Sequence, residues 1–509
     1  MSRALFTAAV LLGTSLSLAA PALAKTAYDG VWLFDDTPPT PGVTMMQVTS
    51  KGGKIEGTVT TRWYGPVEML NPHLEGGMLK FDTRNINDRE HPTRPWSVTI
   101  EGGKTNLRAR LKGRIWESEV DASGYRGKAK DAQARAFKFS PPLPALGTPI
   151  PSKLAATPPM GWSSWNKFAE HIDDKTVRAM ADAMVSTGLR DAGYLYVNID
   201  DGWQGKRDVN GVLQPNEKFP DMKALTDYVH SKGLKIGIYS SQGPRTCAGY
   251  EGSYGHVKQD AQTYADWGFD YLKYDLCSGE WFYDDADTVK RSYYEMGAAL
   301  QATGRDFIFS LCEYGRFDVG SWGRDVGGQL WRTTGDITDD YQTMARIGFD
   351  KNGQPEWARP HGFNDPDMLE IGNGGMSADE YRTHMTLWAM SAAPLMMGHD
   401  LRESTPETLA MLTNPRVIAV DQDAKGVQAK ALRKQGTMEV WTKPLADGRV
   451  ALALFNRGDA AGSLALTPGD AGLTAVKQVE DVWSGAKSVS LPASYTVPAR
   501  GAVMVVVGG

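Results

Sequence analysis

The chain has 509 residues, 41% of them hydrophobic and 23% charged, with 60 acidic residues against 55 Lys and Arg. The length suggests about three domains with real cores, which excludes fibrous, disordered and disulfide-framework classes. A net charge of −5 gives no basic face, so nucleic acid is not an expected partner.

Residues 1–24 read as a signal peptide, with Arg3, an apolar stretch over 5–18, and an Ala22-Leu23-Ala24 cleavage site. No later stretch reaches the ~20 apolar residues of a membrane span. The expected protein is exported, periplasmic or extracellular, with no membrane anchor. Residues 25–140 carry Gly and short alternating segments such as Met46-Gln47-Val48-Thr49, which predict a β-rich N-terminal domain. Its tryptophans Trp32, Trp63, Trp96 and Trp116 fill a core or stack on sugar. Residues 141–156 form a Pro-rich linker.

Strand patterns then recur at 160–165, 194–200, 235–240, 271–277, 307–313 and 330–336, with weaker ones at 363–369 and 394–400. Helical patterns lie between them. Val177, Met180 and Met184 mark one that Gly188 ends; Met222, Leu225 and Val229 mark another, ended by Gly233. Eight strands at about 30 residues per unit match a (β/α)₈ barrel over 157–425. The alternative, a doubly wound sheet, lacks a G-x-G-x-x-G after its first strand. Residues 426–509 return to strands and predict a C-terminal antiparallel β-sandwich.

A barrel places its active site at the C-terminal strand ends. Those ends carry Trp165, Asp200, Asp201, Tyr239, Lys273, Asp275, Glu313, Arg332 and Asp336. Lys273 and Asp275 are two apart, so both face the axis. Converging carboxylates with two bases suit glycoside hydrolysis, where one acts as nucleophile or base and another as acid. Any one of these Asp residues, taken alone, reads as a surface group or helix cap; their repetition at strand ends favours a site. Cys247, Cys277 and Cys312 permit three pairings. No metal or cofactor is expected, and His361, His384 and His399 read as structural.

Met160-Gly161-Trp162-Ser163-Ser164-Trp165-Asn166, Asn198-Ile199-Asp200-Asp201-Gly202-Trp203 and Gly237-Ile238-Tyr239-Ser240 carry a resemblance. So do Tyr271-Leu272-Lys273-Tyr274-Asp275, Trp331-Arg332-Thr333-Thr334-Gly335-Asp336-Ile337, Asn364-Asp365-Pro366-Asp367-Met368-Leu369 and Ala393-Pro394-Leu395. Together they resemble the melibiase-type α-galactosidases of glycoside hydrolase family 27, over about residues 155–500. The resemblance implies a retaining mechanism with Asp275 as nucleophile and Asp336 as acid/base. It implies sugar contacts from Trp165, Asp200, Asp201, Tyr239, Lys273, Glu313 and Arg332, the Glu313 contact at the 2-position favouring galactose over N-acetylgalactosamine. It also implies a Cys247–Cys277 disulfide, with Cys312 a buried thiol. Asp336 is then expected in surroundings less favourable to charge than those of Asp275.

The chain departs from the pattern at Tyr314, where many relatives have Trp, and residues 25–150 lie outside it. The expected partner is a galactose-containing oligosaccharide or polysaccharide. The alternatives on the same scaffold are a β-L-arabinopyranosidase, an α-N-acetylgalactosaminidase and a non-catalytic glycan-binding protein.

Overall fold

The computed structural model describes residues 25–34, 42–61, 63, 65–85, 92–102, 107–115, 118–134, 137 and 139–509. Residues 1–24, read from the sequence as a signal peptide, and Trp116 lie outside them. The chain divides into two compact units, 1–138 and 139–509.

The first unit is one nine-stranded antiparallel sheet followed by a short helix, Ala129–Ala134. Its first strand, Gly30–Phe34, sits mid-sheet between the second and the ninth (Ser118–Arg126). The fourth and fifth strands, Gly65–Glu68 and Leu70–Glu75, are at opposite edges yet only Met69 separates them. The sheet must therefore roll until its edges approach, as in a barrel. Trp32 and Trp96 are buried inside it. Each indole N–H is satisfied, by the Tyr28 carbonyl at 2.8 Å and by Thr83 Oγ1 at 2.9 Å. These two tryptophans fill the core, because a buried donor with a partner is a packing solution rather than a sugar platform. Trp63 is half-buried.

The second unit holds the (β/α)₈ barrel. Its parallel strands are Met160–Ser163, Tyr196–Asn198, Lys235–Ser241, Tyr271–Asp275, Ile308–Cys312, Leu330–Arg332, Phe363–Asp365 and Leu395–Met397. Seven of the eight strand patterns seen in the sequence contain one of them, and the third strand runs one residue past its pattern, to Ser241. The first and eighth strands pair directly. Beyond the seventh, Leu369 closes the ring, its N–H donating to the Met396 carbonyl at 2.7 Å and its carbonyl accepting from Gly398 at 2.9 Å. The predicted helices are present as Asp174–Ser186 and Met222–Ser231. Each starts with an Asp whose carboxylate caps a backbone N–H: Asp173 to Thr176 at 2.7 Å and Asp221 to Ala224 at 2.9 Å. Asp200 and Asp201 lie just past the second strand rather than within it. The Pro-rich segment is held against this unit: Arg291 donates to the carbonyls of Leu143 and Pro144, and Ile150 N–H to that of Asp325 at 2.9 Å.

The C-terminal part has a six-stranded antiparallel sheet and a two-stranded one, Gly462–Leu464 with Tyr495–Val497. Strand Val450–Asn456 is apolar on both faces for a physical reason. Leu452 and Leu454 pack between the two sheets, while Ala451, Ala453 and Phe455 join the barrel's core. That shared burial fixes the sandwich to the barrel. Among the described residues, no helix is long and apolar enough to cross a membrane.

Candidate active site

One cavity opens where the barrel strands end. It is lined by Trp165, Asp200, Asp201, Tyr239, Cys247, Lys273, Asp275, Tyr314, Arg332, Asp336 and Asp367. The lining thus holds five carboxylates and two cations.

Asp200 is fixed from three sides. Its Oδ2 accepts from Lys273 Nζ at 3.0 Å and from Ser163 Oγ at 3.3 Å, and its own N–H donates to Ser164 Oγ at 3.0 Å. Asp201 accepts from the N–H groups of Gly202 and Ala248, at 2.9 and 2.8 Å. Burial nevertheless pushes its carboxyl up to about 7. Lys273 also lies 5.3 Å from the centre of the Tyr239 ring. Against its burial, Asp200 holds the Lys273 ammonium well above the ordinary value.

Asp275 ends the fourth strand, buried at 3% exposure. Its Oδ2 accepts from the Tyr239 hydroxyl at 3.1 Å, and its Oδ1 from the Tyr314 hydroxyl and the Leu276 N–H, both at 2.8 Å. Burial raises its carboxyl above the ordinary value, opposed by Lys273 and the Tyr314 hydrogen bond. Asp336 differs: its side chain is 66% exposed. The partial desolvation it meets at the cavity mouth is outweighed by Arg332 and Lys273, which hold its carboxyl below the ordinary value.

The expected ordering of the two acids is therefore reversed in the free protein. Asp275, not Asp336, has surroundings less favourable to charge. The reason is geometric: Arg332 Nη2 pairs with Asp336 at 2.9 Å, whereas Asp275 is enclosed.

Glu313 does not enter the cavity. It is fully buried, and the backbone N–H groups of Gly315 and Arg316, in the turn that follows, face its carboxylate. Burial holds its carboxyl well above the ordinary value. Period-two alternation explains the placement. Cys312 ends the fifth strand in register with the inward-facing Asp275, so the next residue, Glu313, points away, and the left-handed turn at Tyr314 (φ 62°) brings that side chain back to the cavity. Arg332 Nη1 lies 3.6 Å from Cys312 Sγ. Cys247 and Cys277 form a disulfide, and Cys312 is a buried free thiol.

Two lining residues were not singled out from the sequence. Asp367 Oδ2 lies 3.0 Å from Arg332 Nη2 and accepts from the Ile337 N–H at 2.9 Å. Its Asn-Asp-Pro-Asp motif was the available signal. Tyr314 was visible only as a departure from pattern.

Residues 157–423 match the family Alpha galactosidase A, and residues 435–507 match the family Alpha galactosidase C-terminal beta sandwich domain. The chain belongs to the melibiase-type α-galactosidases, glycoside hydrolase family 27. Similar proteins include Alpha-galactosidase 2 of Arabidopsis thaliana, 46% identical over 65% of this chain and 83% of that one. Alpha-galactosidase of Coffea arabica is 47% identical over 69% and 94%. Among solved structures, α-galactosidase I of Mortierella vinacea is 34% identical with a TM-score of 0.66, over 70% of this chain and 98% of that one. A Bacteroides fragilis chain, 30% identical with a TM-score of 0.67, is covered in full and spans 96% of this chain, so that likeness extends into the N-terminal unit.

Proposed function

We propose that the protein is an exo-acting, retaining α-galactosidase that removes terminal α-D-galactosyl residues from oligosaccharides or polysaccharides. The observation that carries this reading is the presence of Asp275 and Asp336 in one cavity, the first oriented by two tyrosines and the second exposed beside Arg332.

In the first displacement Asp275 attacks the anomeric carbon while Asp336 protonates the leaving oxygen. In the second, Asp336 takes a proton from water, whose oxygen replaces Asp275 at that carbon. Asp336 must gain its proton as substrate binds. The sugar and its leaving group cover the exposed carboxylate, and both loss of water and a loosened pair with Arg332 raise its pKa. Asp200 and Asp201 accept from the outer hydroxyls, Lys273 and Tyr239 donate to the sugar, and Trp165 covers its apolar face. Arg332, Cys312 and Tyr314 form the wall on the 2-position side, the role Glu313 was expected to share.

The reaction so written needs two carboxylates and water. The relatives at 40–48% identity are α-galactosidases by name. A β-L-arabinopyranosidase of Geobacillus stearothermophilus, at 24% identity, shares the fold alone. We also propose export after cleavage near Ala24, and the division 25–140, 141–156, 157–425 and 426–509.

Nitrophenyl glycosides of α-galactose, β-L-arabinopyranose and α-N-acetylgalactosamine test the reading. Turnover should be fastest on the galactoside; negligible turnover there refutes it.

A further inference from the structure

We propose that Tyr314 is a positioning residue for the nucleophile: its hydroxyl holds Oδ1 of Asp275, leaving Oδ2 as the attacking oxygen. This rests on Asp275 being the nucleophile.

The two oxygens are not equivalent. Oδ1 accepts short hydrogen bonds from Tyr314 and from the Leu276 N–H, both at 2.8 Å, and the Cys277 N–H lies 3.4 Å away. Among the described residues, Oδ2 accepts one hydrogen bond, the longer one from Tyr239 at 3.1 Å. Lone pairs engaged by strong donors are less available for attack, so Oδ2 is the more nucleophilic. The Tyr314 hydroxyl also lies 3.3 and 3.5 Å from the Cys277 and Cys247 sulfurs. A disulfide has no proton to give and accepts weakly, so the hydroxyl proton is directed to Asp275.

The backbone holds Tyr314 in this place. Its φ is 62°, in the left-handed region that a tyrosine avoids, and Gly315 follows at φ 77°. A Cβ on Gly315 would stand 2.1 Å from the Thr333 carbonyl oxygen. The turn is thus pressed against the segment after the sixth strand. A strained conformation that persists beside a reacting carboxylate is characteristic of functional sites.

The hydrogen bond changes strength along the reaction. When C1–Oδ2 forms and the bond from C1 to the leaving oxygen breaks, with the Asp336 proton going to that oxygen, Oδ1 turns from carboxylate to ester carbonyl. When water attacks C1, its proton goes to Asp336, C1–Oδ2 breaks, and charge returns to Oδ1. A donor at Oδ1 therefore favours the carboxylate over the ester and speeds the second step. The other groups facing Asp275 are Lys273 on its own strand, Tyr239 on the third, Cys312 on the fifth, and Arg332 and Asp336 from the sixth strand and its loop.

The test uses Tyr314→Phe, Tyr314→Trp and Asp275→Ala in the full chain. The substrate is an aryl α-galactoside whose strongly acidic phenol leaves without protonation, so the acid limb reports the nucleophile alone. Both Tyr314 variants should lose about tenfold in kcat. KM should fall with kcat as glycosylated enzyme accumulates, and the acid limb of kcat/KM should move to higher pH. An acid limb and kcat within about twofold of wild type in either variant, with Asp275→Ala inactive, would overturn the proposal. Hydrolysis surviving in Asp275→Ala would instead overturn the nucleophile assignment.

Discussion

Arg332 places Nη2 2.9 Å from Oδ1 of Asp336. The same nitrogen lies 3.0 Å from Oδ2 of Asp367, so one guanidinium serves two carboxylates. Asp367 is buried and Asp336 is exposed. Asp336 can therefore loosen its pair during a proton transfer while Asp367 keeps the cation in place.

Replacing Arg332 by Ala should shift the entire pH profile of kcat/KM to higher pH. Arg332 lowers the carboxyl pKa of both Asp275 and Asp336, so its loss raises both. The direction holds whichever limb belongs to which residue, because loss of the cation moves both carboxyls the same way. The variant should also lose about 3–5 kcal/mol of stability, because Asp367 is left buried without its partner. Urea unfolding beside the rate profile measures both effects.

Asp201 makes stability fall as pH rises. Its folded pKa of about 7 exceeds the ordinary 3.8. Between those values the folded chain keeps a proton that the unfolded chain has released. The stabilisation is complete below about pH 4 and is lost as pH climbs through 7, by an amount of order 4 kcal/mol. Urea unfolding at pH 4, 5.5 and 7 should show a slope of this sign in the wild type, to which the other buried, raised carboxyls such as Asp365 and Glu370 add, and Asp201→Asn should make it shallower. An equal slope in both would contradict the assignment.

Reducing the Cys247–Cys277 bridge should cost stability and sugar binding together. The cysteines are 30 residues apart, which corresponds to about 3–4 kcal/mol of loop-closure stabilisation. Ala248, whose N–H holds Asp201 at 2.8 Å, is in the closed loop. Thermal melts with and without dithiothreitol, paired with inhibition by free galactose, should show both losses.

Much of this was legible in the sequence because the barrel repeats one unit eight times. Met160–Ser163, Tyr271–Asp275 and Ile308–Cys312 are strand patterns long enough to read, and each carries or leads to polar residues at its carboxyl end. What stayed hidden depends on single-residue alternation and on long-range pairing. Glu313 and Tyr314 are adjacent, and the register of Cys312 against Asp275, together with the left-handed turn at Tyr314, decides which one faces the cavity. Likewise, Arg332 was recognisable as a base near carboxylates. Its choice of Asp336 and Asp367 over Asp275 is a tertiary fact, and it inverted the expected order of acidities. In the N-terminal unit, composition could not separate core from surface tryptophans; burial of Trp32 and Trp96 settled those two.

Covalent trapping tests the central assignment most directly. An activated 2-deoxy-2-fluoro-α-galactoside should inactivate the protein stoichiometrically by slowing release of the glycosylated enzyme. Proteolysis and mass spectrometry should then find the fluorosugar as an ester on Asp275. A label on Asp336, or hydrolysis with no covalent label and with inversion at the anomeric carbon, would contradict the account.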